Sequence, residues 1–356
     1  MEITVNQLPD DQRKPIPGDV SSLGFGKYFS DHMFMMNYTS DLGWHNARIE
    51  PYAPLSLDPA SMVLHYGQEA FEGLKAYRGK DDGIFMFRYK DNLARLNRSC
   101  QRLVMPTLPL DVVSEALKKL VLLEQDWIPR SPGCALYIRP NIIAVDPFLG
   151  VRPSESYLFY IIVGPVGAYY PEGFNPIKIF VSDKYVRAVR GGVGDAKTAG
   201  NYAASLLAQM EAKDRGYSQV LWLDGVERKF IEEVGTMNIF FKFGDKVLTS
   251  PLTGSILPGI TRDSVITLLQ QWGVKIEERQ FSIDQVVKGL KDGSVTEVFG
   301  SGTAAIISPV KAISYKGTEY KVADGKTGPL SQKLYDHILA LQYGKQDDPN
   351  GWVERL

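Results

Sequence analysis

The chain has little cysteine, little histidine and no long apolar run. Its 356 residues include two cysteines, Cys100 and Cys134, which excludes a disulfide framework and a thiolate zinc site. The four histidines, His32, His45, His65 and His337, are scattered without metal-ligand spacing, so packing and hydrogen bonding are their expected work. No apolar stretch approaches the roughly 20 residues that a membrane span requires. Met1–Pro17 has neither the apolar centre of a secretory signal nor the arginine-rich amphipathic pattern of a transit peptide. Charge of one sign is not in excess either: 40 Lys and Arg stand against 41 Asp and Glu, for a formal net charge of -1. Nucleic acid is therefore not an expected partner, and anionic ligands must be held by a few placed Arg and Lys side chains. What remains is an ordinary soluble composition, 44% apolar and 23% charged, expected to work in the cytoplasm. The length exceeds one small core and points to two domains of roughly 150–200 residues each.

Apolar periodicity marks the helices. Asp91 can cap a helix that carries Leu93, Leu96, Cys100 and Leu103 on one side. A second runs from Asp111 to Trp127, with Val113, Ala116, Leu117 and Leu120 facing inward and Pro129 as its stop. A third starts at Asn201, presents Ala203, Leu206, Leu207 and Met210, and ends at Gly216. A fourth starts at Thr261, and two more lie around Ile283–Leu290 and Leu330–Tyr343. Short runs rich in Val, Ile, Phe and Tyr read as strands: Ile84–Arg88, Ala135–Arg139, Tyr157–Val163, Ile177–Ser182, Gln219–Leu223, Met237–Phe243 and Glu297–Phe299. Strands and helices mix throughout, which predicts an α/β or α+β fold. Glycine and proline in GPVGAYYPEGFN (Gly164–Asn175) mark a connector. The expected division is a domain over 1–164, a connector over 165–175 and a second domain over 176–356.

The densest chemistry is RAVRGGVGDAKTAGNY (Arg187–Tyr202), glycine-rich and set directly before a helix. Three readings compete for it. Gly191 with Lys197-Thr198 nearly has the spacing of a phosphate-binding P-loop, and Val220–Asp224 imitates its partner strand, but Ala196 stands where that loop needs glycine. Lys197 can instead be a nucleophilic amine, since Ala196, Ala199 and Gly200 leave room for a flat ring beside it. The third reading is a surface loop with a solvated lysine. Other segments add weight to the second. LPGIT (Leu257–Thr261) ends at a helix start whose Ile260 and Thr261 N–H groups suit a phosphate. GSGTA (Gly300–Ala304) offers Thr303 as a further donor. EEVGTMN (Glu232–Asn238) places two carboxylates before a strand, and a carboxylate facing a pyridine nitrogen keeps it protonated.

These segments, with FGKYFSDHM (Phe25–Met33), HYGQEAFEGLKAY (His65–Tyr77), LYIRP (Leu136–Pro140), GPVGAYYP (Gly164–Pro171), EEVGTMNIF (Glu232–Phe240), LPGITRDS (Leu257–Ser264) and EVFGSGTA (Glu297–Ala304), resemble the branched-chain amino acid aminotransferases of class IV, the fold-type IV pyridoxal-phosphate enzymes. The resemblance runs from about Pro17 to Tyr343 with the motifs in family order. It implies a small N-terminal α/β domain, a larger C-terminal pseudo-barrel domain, and pyridoxal 5'-phosphate between them. It implies transfer of the amino group between leucine, isoleucine or valine and 2-oxoglutarate, through a Schiff base on Lys197, in a homodimer or higher assembly. By the same resemblance Lys197 also carries the proton, Tyr202 bonds the cofactor's phenolic oxygen and Glu233 pairs with its pyridine nitrogen. Arg95, Ile260, Thr261 and Thr303 would hold the phosphate, with Arg187 nearby and Thr236 touching cofactor and substrate. The substrate pocket would use Phe25, Tyr66, Phe71, Tyr137, Tyr169, Thr236 and Ala304, with Val151 reaching in from the partner subunit. Arg139 is one charge in that apolar set, able to receive the side-chain carboxylate of glutamate. Family members with a redox CxxC pair carry it just after GSGTA. Here Ala305 and Ser308 stand at those positions, so that switch is expected to be absent. D-amino acid transaminases and aminodeoxychorismate lyases share the lysine and glutamate but lack this set of N-terminal motifs.

Overall fold

Alternating apolar side chains build the first sheet. In β2 (His32–Thr39), Phe34 and Met36 point to one face and Met33 and Met35 to the other, and all four are buried. The computed structural model describes residues 1–18, 23–167 and 174–356, and these divide into two units. The first comprises Met1–Tyr169 together with Ala196–Ala199 and Ala340–Leu356. Its strands are β1 (Thr4–Val5), β2, β3 (Gly43–Pro51), β4 (Glu69–Phe71), β5 (Leu74–Arg78), β6 (Ile84–Phe87), β7 (Ala135–Ala144) and β8 (Ser156–Val166). They lie in the order β1-β3-β2-β8-β7-β5-β6, followed by the C-terminal strand Val353–Arg355, and β4 lies on β7. All these pairings are antiparallel except that of β1 with β3.

Among the described residues this unit has the α-helices α1 (Met62–Tyr66), α2 (Tyr89–Arg102) and α3 (Leu110–Leu123). The expected faces of α2 and α3 are the observed ones. Leu93, Leu96 and Cys100 of α2 and Val113, Ala116, Leu117 and Leu120 of α3 join Phe34, Met36, Ile138 and Phe159 in one core. Asp91 is not the cap of α2. The helix begins at Tyr89 behind Arg88, whose φ is +50°, and Asp91 sits in the first turn, accepting from Arg88 Nε at 2.6 Å. β7 runs five residues beyond the expected Arg139 and straight through Pro140, which pairs with Ile161 of β8. The two units do not follow a single break near the connector. The final strand pairs with β6, Val353 opposite Phe87, which brings the C-terminal residues into the first unit.

The second unit comprises Tyr170–Asp195 and Gly200–Leu339. Its strands are β9 (Ile177–Val181), β10 (Gln219–Leu223), β11 (Ile231–Val234), β12 (Met237–Phe243), β13 (Lys246–Thr249), β14 (Lys275–Glu278), β15 (Val295–Gly302), β16 (Ile306–Tyr315) and β17 (Thr318–Lys321). The order β11-β10-β9-β16-β15-β12 closes on itself, because β12 pairs back onto β11. This six-stranded ring is the expected pseudo-barrel, extended by β13 and β14. The helices are α4 (Ala199–Ala203), α5 (Leu206–Asp214), α6 (Ile260–Gln271), α7 (Ile283–Asp292) and α8 (Pro329–Gln342). The helix expected from Asn201 is in fact two, α4 and α5, and α5 is turned the other way. Ala208 and Ala212 face inward, while Leu206, Leu207 and Met210 are 58%, 56% and 63% exposed. Ala208 and Ala212 pack with Val220 and the indole of Trp222 in one buried cluster.

Candidate active site

In the first unit the segment carrying Lys197 is clamped from both sides. The Lys197 N–H donates to Ser99 Oγ of α2 at 2.9 Å. Its carbonyl accepts from the Phe71 N–H at 3.0 Å, and Thr198 Oγ1 donates to the Glu69 carbonyl at 2.8 Å. The Lys197 ammonium lies 4.6 Å from the centre of the Phe71 ring, a cation–π contact. The solvated-loop reading is thereby set aside.

Glu72, the residue after Phe71, is fully buried and was not singled out from the sequence. It accepts from Arg95 Nε at 2.7 Å and Nη2 at 2.9 Å, from Asn92 Nδ2 at 3.1 Å and from the Gly73 N–H at 3.1 Å. Burial pushes its carboxyl pKa up, but the charge and hydrogen bonds of Arg95, with the Lys197 charge and Asn92, outweigh burial and hold it below the usual carboxylate range. Arg95 is therefore a buried cation already paired with Glu72. The available signal was the second glutamate of HYGQEAFEGLKAY, set between Ala70, Phe71 and Leu74.

Tyr137 and Arg139 alternate along β7 and share a face. Arg139 Nη2 donates to Tyr137 Oη at 3.1 Å. Its guanidinium carbon lies 4.8 Å from the centre of the Phe71 ring and 5.4 Å from that of Tyr137. Among the described residues Arg139 Nε, which is buried, has no hydrogen-bond partner. Phe25 packs edge-on against Tyr137 at 4.7 Å. A small cleft beside them is lined by Gly26, Tyr28, Tyr137, Arg139 and Gly164. Glycine is required at 73, where a Cβ would come 2.1 Å from Tyr137 Oη. Of the other expected pocket residues, Tyr66 ends α1 at 41% exposure and Val151 stands 88% exposed beside Phe148 and Leu149. Tyr169 lies outside the described residues.

In the second unit Glu233 of β11 is buried and bonded at both oxygens. Arg187 Nε pairs with Oε2, and Asn238 Nδ2 donates to Oε1 at 2.9 Å. Arg187 Nη2 also donates to the carbonyls of Gly194 at 2.8 Å and Ser255 at 3.2 Å. Glu232 has a different setting. Its Oε1 accepts from Ser255 Oγ at 2.5 Å, its buried Oε2 has no partner among the described residues, and burial raises its pKa. Tyr202 sits half-buried in α4.

The helix start at LPGIT is capped by Gly259, not Thr261, with no side-chain cap, so Ile260 and Thr261 open the first turn of α6. Only glycine fits at 259, since a Cβ would meet Asn238 Oδ1 at 2.1 Å. Thr303 and Ala304 lie half-buried in the turn between β15 and β16. Ile306 closes that turn at φ +63°, a conformation that costs a β-branched residue on the order of 1–3 kcal/mol. Thr236 is exposed in the tight turn between β11 and β12. Ala305 and Ser308 occupy the turn and β16, and Cys100 and Cys134 are both buried. Among the described residues no group of three or more His, Cys, Asp or Glu is placed to hold a metal ion, and no helix is long and apolar enough to cross a membrane.

Residues 69–313 match the family model of class IV aminotransferases. The chain is 54% identical over 344 residues to the branched-chain-amino-acid aminotransferase 2 of Bacillus subtilis (strain 168), covering 97% of this chain and 94% of that protein. It is 48% identical to the probable branched-chain-amino-acid aminotransferase of Streptomyces coelicolor, over 99% of this chain and 97% of that one. Among solved structures, the branched-chain amino acid aminotransferase of Escherichia coli superposes with a TM-score of 0.73 at 28% identity, covering 91% of this chain and 98% of that one. The P-loop reading is overturned by these matches, which span the whole lysine-bearing region. The chain belongs to the class IV aminotransferases and, within them, to the branched-chain amino acid aminotransferases.

Proposed function

We propose that this enzyme moves the amino group between leucine, isoleucine or valine and 2-oxoglutarate, using a Schiff base of pyridoxal 5'-phosphate on Lys197. The observation that carries the reading is the ring of Phe71. The Lys197 ammonium lies against it at 4.6 Å and the Arg139 guanidinium at 4.8 Å. A reactive amine and one cation thus share a single apolar wall, which suits a hydrocarbon side chain and a terminal carboxylate in turn.

The residues present fit the cofactor. Lys197 has small neighbours, Glu233 is a buried carboxylate, and Gly259 leaves the start of α6 without a side-chain cap. Bound pyridoxal phosphate supplies the electron sink that lets an amino acid lose its α-proton. Lys197 Nζ takes that proton and returns it. Glu233, paired with Arg187 and bonded by Asn238, would hold the proton on the pyridine nitrogen. Tyr202 would donate to the phenolic oxygen, and Thr236 would touch both cofactor and substrate. By the family resemblance Arg95, which Glu72 holds by two hydrogen bonds, Ile260, Thr261 and Thr303 would hold the phosphate. By the family resemblance Phe25, Tyr66, Phe71, Tyr137, Tyr169 and Ala304 would line the pocket and Arg139 would be its charged end.

Self-association as a homodimer or higher completes the reading. It is supported by the exposed apolar run Phe148, Leu149 and Val151, from which Val151 would reach the partner's pocket. The site of action is the cytoplasm. The test is a half-reaction assay of the purified holoenzyme with each of the three branched-chain amino acids and with glutamate. Turnover of all four is expected, and inactivity with glutamate sinks the choice of 2-oxoglutarate as acceptor.

A further inference from the structure

We propose that Glu69 sets the balance between the two substrate classes, acting as the counter-charge to Arg139 when the substrate side chain carries none. This rests on the reading above that Arg139 receives the glutamate side chain.

The register of two strands places the pair on one surface. β4 lies antiparallel on β7 with Glu69 opposite Ile143 and Phe71 opposite Asn141. Paired residues project to the same face, and so do alternate residues along a strand. Glu69, Phe71, Arg139 and Asn141 therefore form one layer, and Tyr160 of β8 joins it through a 2.7 Å bond from Asn141 Nδ2 to its hydroxyl. Among the described residues Arg139 makes no ion pair, and its Nε is buried with no partner. Glu69 is the carboxylate of this layer. It is half-buried, and no direct ion pair joins it to Arg139. Its carboxyl is pushed up by burial and drawn back down by the Arg139 charge, by the Ala199 N–H and by Asn141. The two opposite charges thus act on each other without closing into a bridge.

The consequence for selectivity follows from charge balance. A leucine side chain brings no charge, and a desolvated guanidinium beside it is costly unless something nearby compensates. Glu69 supplies that compensation without entering the apolar space. Glutamate brings a second carboxylate toward the same cation, and Glu69 repels it. Leucine is helped and glutamate is hindered by one residue, so discrimination between them is a difference that Glu69 sets.

The experiment uses holoenzyme of wild type, Glu69→Gln and, as a second neutral variant, Glu69→Ser. Rate over affinity is measured for the leucine and glutamate half-reactions. Dissociation constants of glutarate and 4-methylvalerate are measured by titration of the cofactor absorbance. Removing the counter-charge should raise the glutamate-to-leucine ratio about tenfold, tighten glutarate and weaken 4-methylvalerate. A ratio within about twofold of wild type, or equal losses for both substrates, overturns the proposal, because bracing of the Lys197 segment alone would affect both alike. Arg139→Leu is measured in parallel. If it is unselective, the reading of Arg139 fails and takes the proposal with it. If it is selective and both Glu69 variants are not, the Glu69 inference alone is overturned.

Discussion

Lys197 and Phe71 are joined twice, once through the backbone and once through the side chains. The Phe71 N–H donates to the Lys197 carbonyl at 3.0 Å, and the Lys197 ammonium lies 4.6 Å from the Phe71 ring centre. The short strand β4 therefore fixes both the position of the lysine and the wall that its amine faces.

Lys197→Ala should fold, since the bonds that clamp its segment come from backbone atoms and Thr198. It should still bind the cofactor non-covalently and lose transamination by several orders of magnitude. Borohydride reduction of the wild type followed by peptide mapping should place the pyridoxyl label on Lys197, and a label on another lysine refutes the assignment.

Glu233→Gln should slow loss of the substrate α-proton while leaving the cofactor attached. Glu233 is paired with Arg187 and bonded by Asn238, and an amide cannot keep a pyridine nitrogen protonated. Glu232, whose pKa burial raises, is the internal control. Single-turnover kinetics in which Glu232→Gln is the more damaging change would mean that the wrong carboxylate has been chosen.

Arg139→Leu should harm glutamate far more than leucine. Both substrates present the same α-carboxylate and amine, and only glutamate ends in a charge. Leaving that charge buried and unpaired should cost about 3–5 kcal/mol. If Arg139 only braces Tyr137, to which it donates at 3.1 Å, pre-steady-state rate over affinity would fall equally for both substrates.

Lys75 of β5 gives a prediction on stability. Burial pushes its pKa down from 10.5 to about 8. Below about 8 the folded chain carries a buried ammonium, a penalty present in full. Between about 8 and 10.5 the unfolded chain holds the proton and the folded chain does not, so stability rises with pH across that window. Lys75→Met should therefore stabilise at pH 7 by at most about 3 kcal/mol. In denaturant melts its advantage should shrink as pH climbs toward 10.5, and an advantage independent of pH would refute the buried-charge explanation.

Local pattern alone determined the inward faces of α2 and α3 and the strand runs at Gln219–Leu223 and Met237–Phe243, and it singled out Lys197 among small residues as one of three readings. Periodicity and steric size are properties of neighbouring residues, so a sequence shows them directly. What it could not show depends on partners distant in the chain. Leu206, Leu207 and Met210 have a helical period, yet they face outward, and it is Ala208 and Ala212 that pack with Val220 and Trp222. Pro140 reads as a strand stop, yet β7 continues through it and pairs with β8 on the far side. Glu72 reads as a charge in an apolar run, and its burial makes sense only once Arg95, 23 positions away, is seen beside it. The layer of Glu69, Phe71 and Arg139 exists because β4 sits on β7 in one register; a shift of one residue would turn Glu69 and Phe71 to the opposite face.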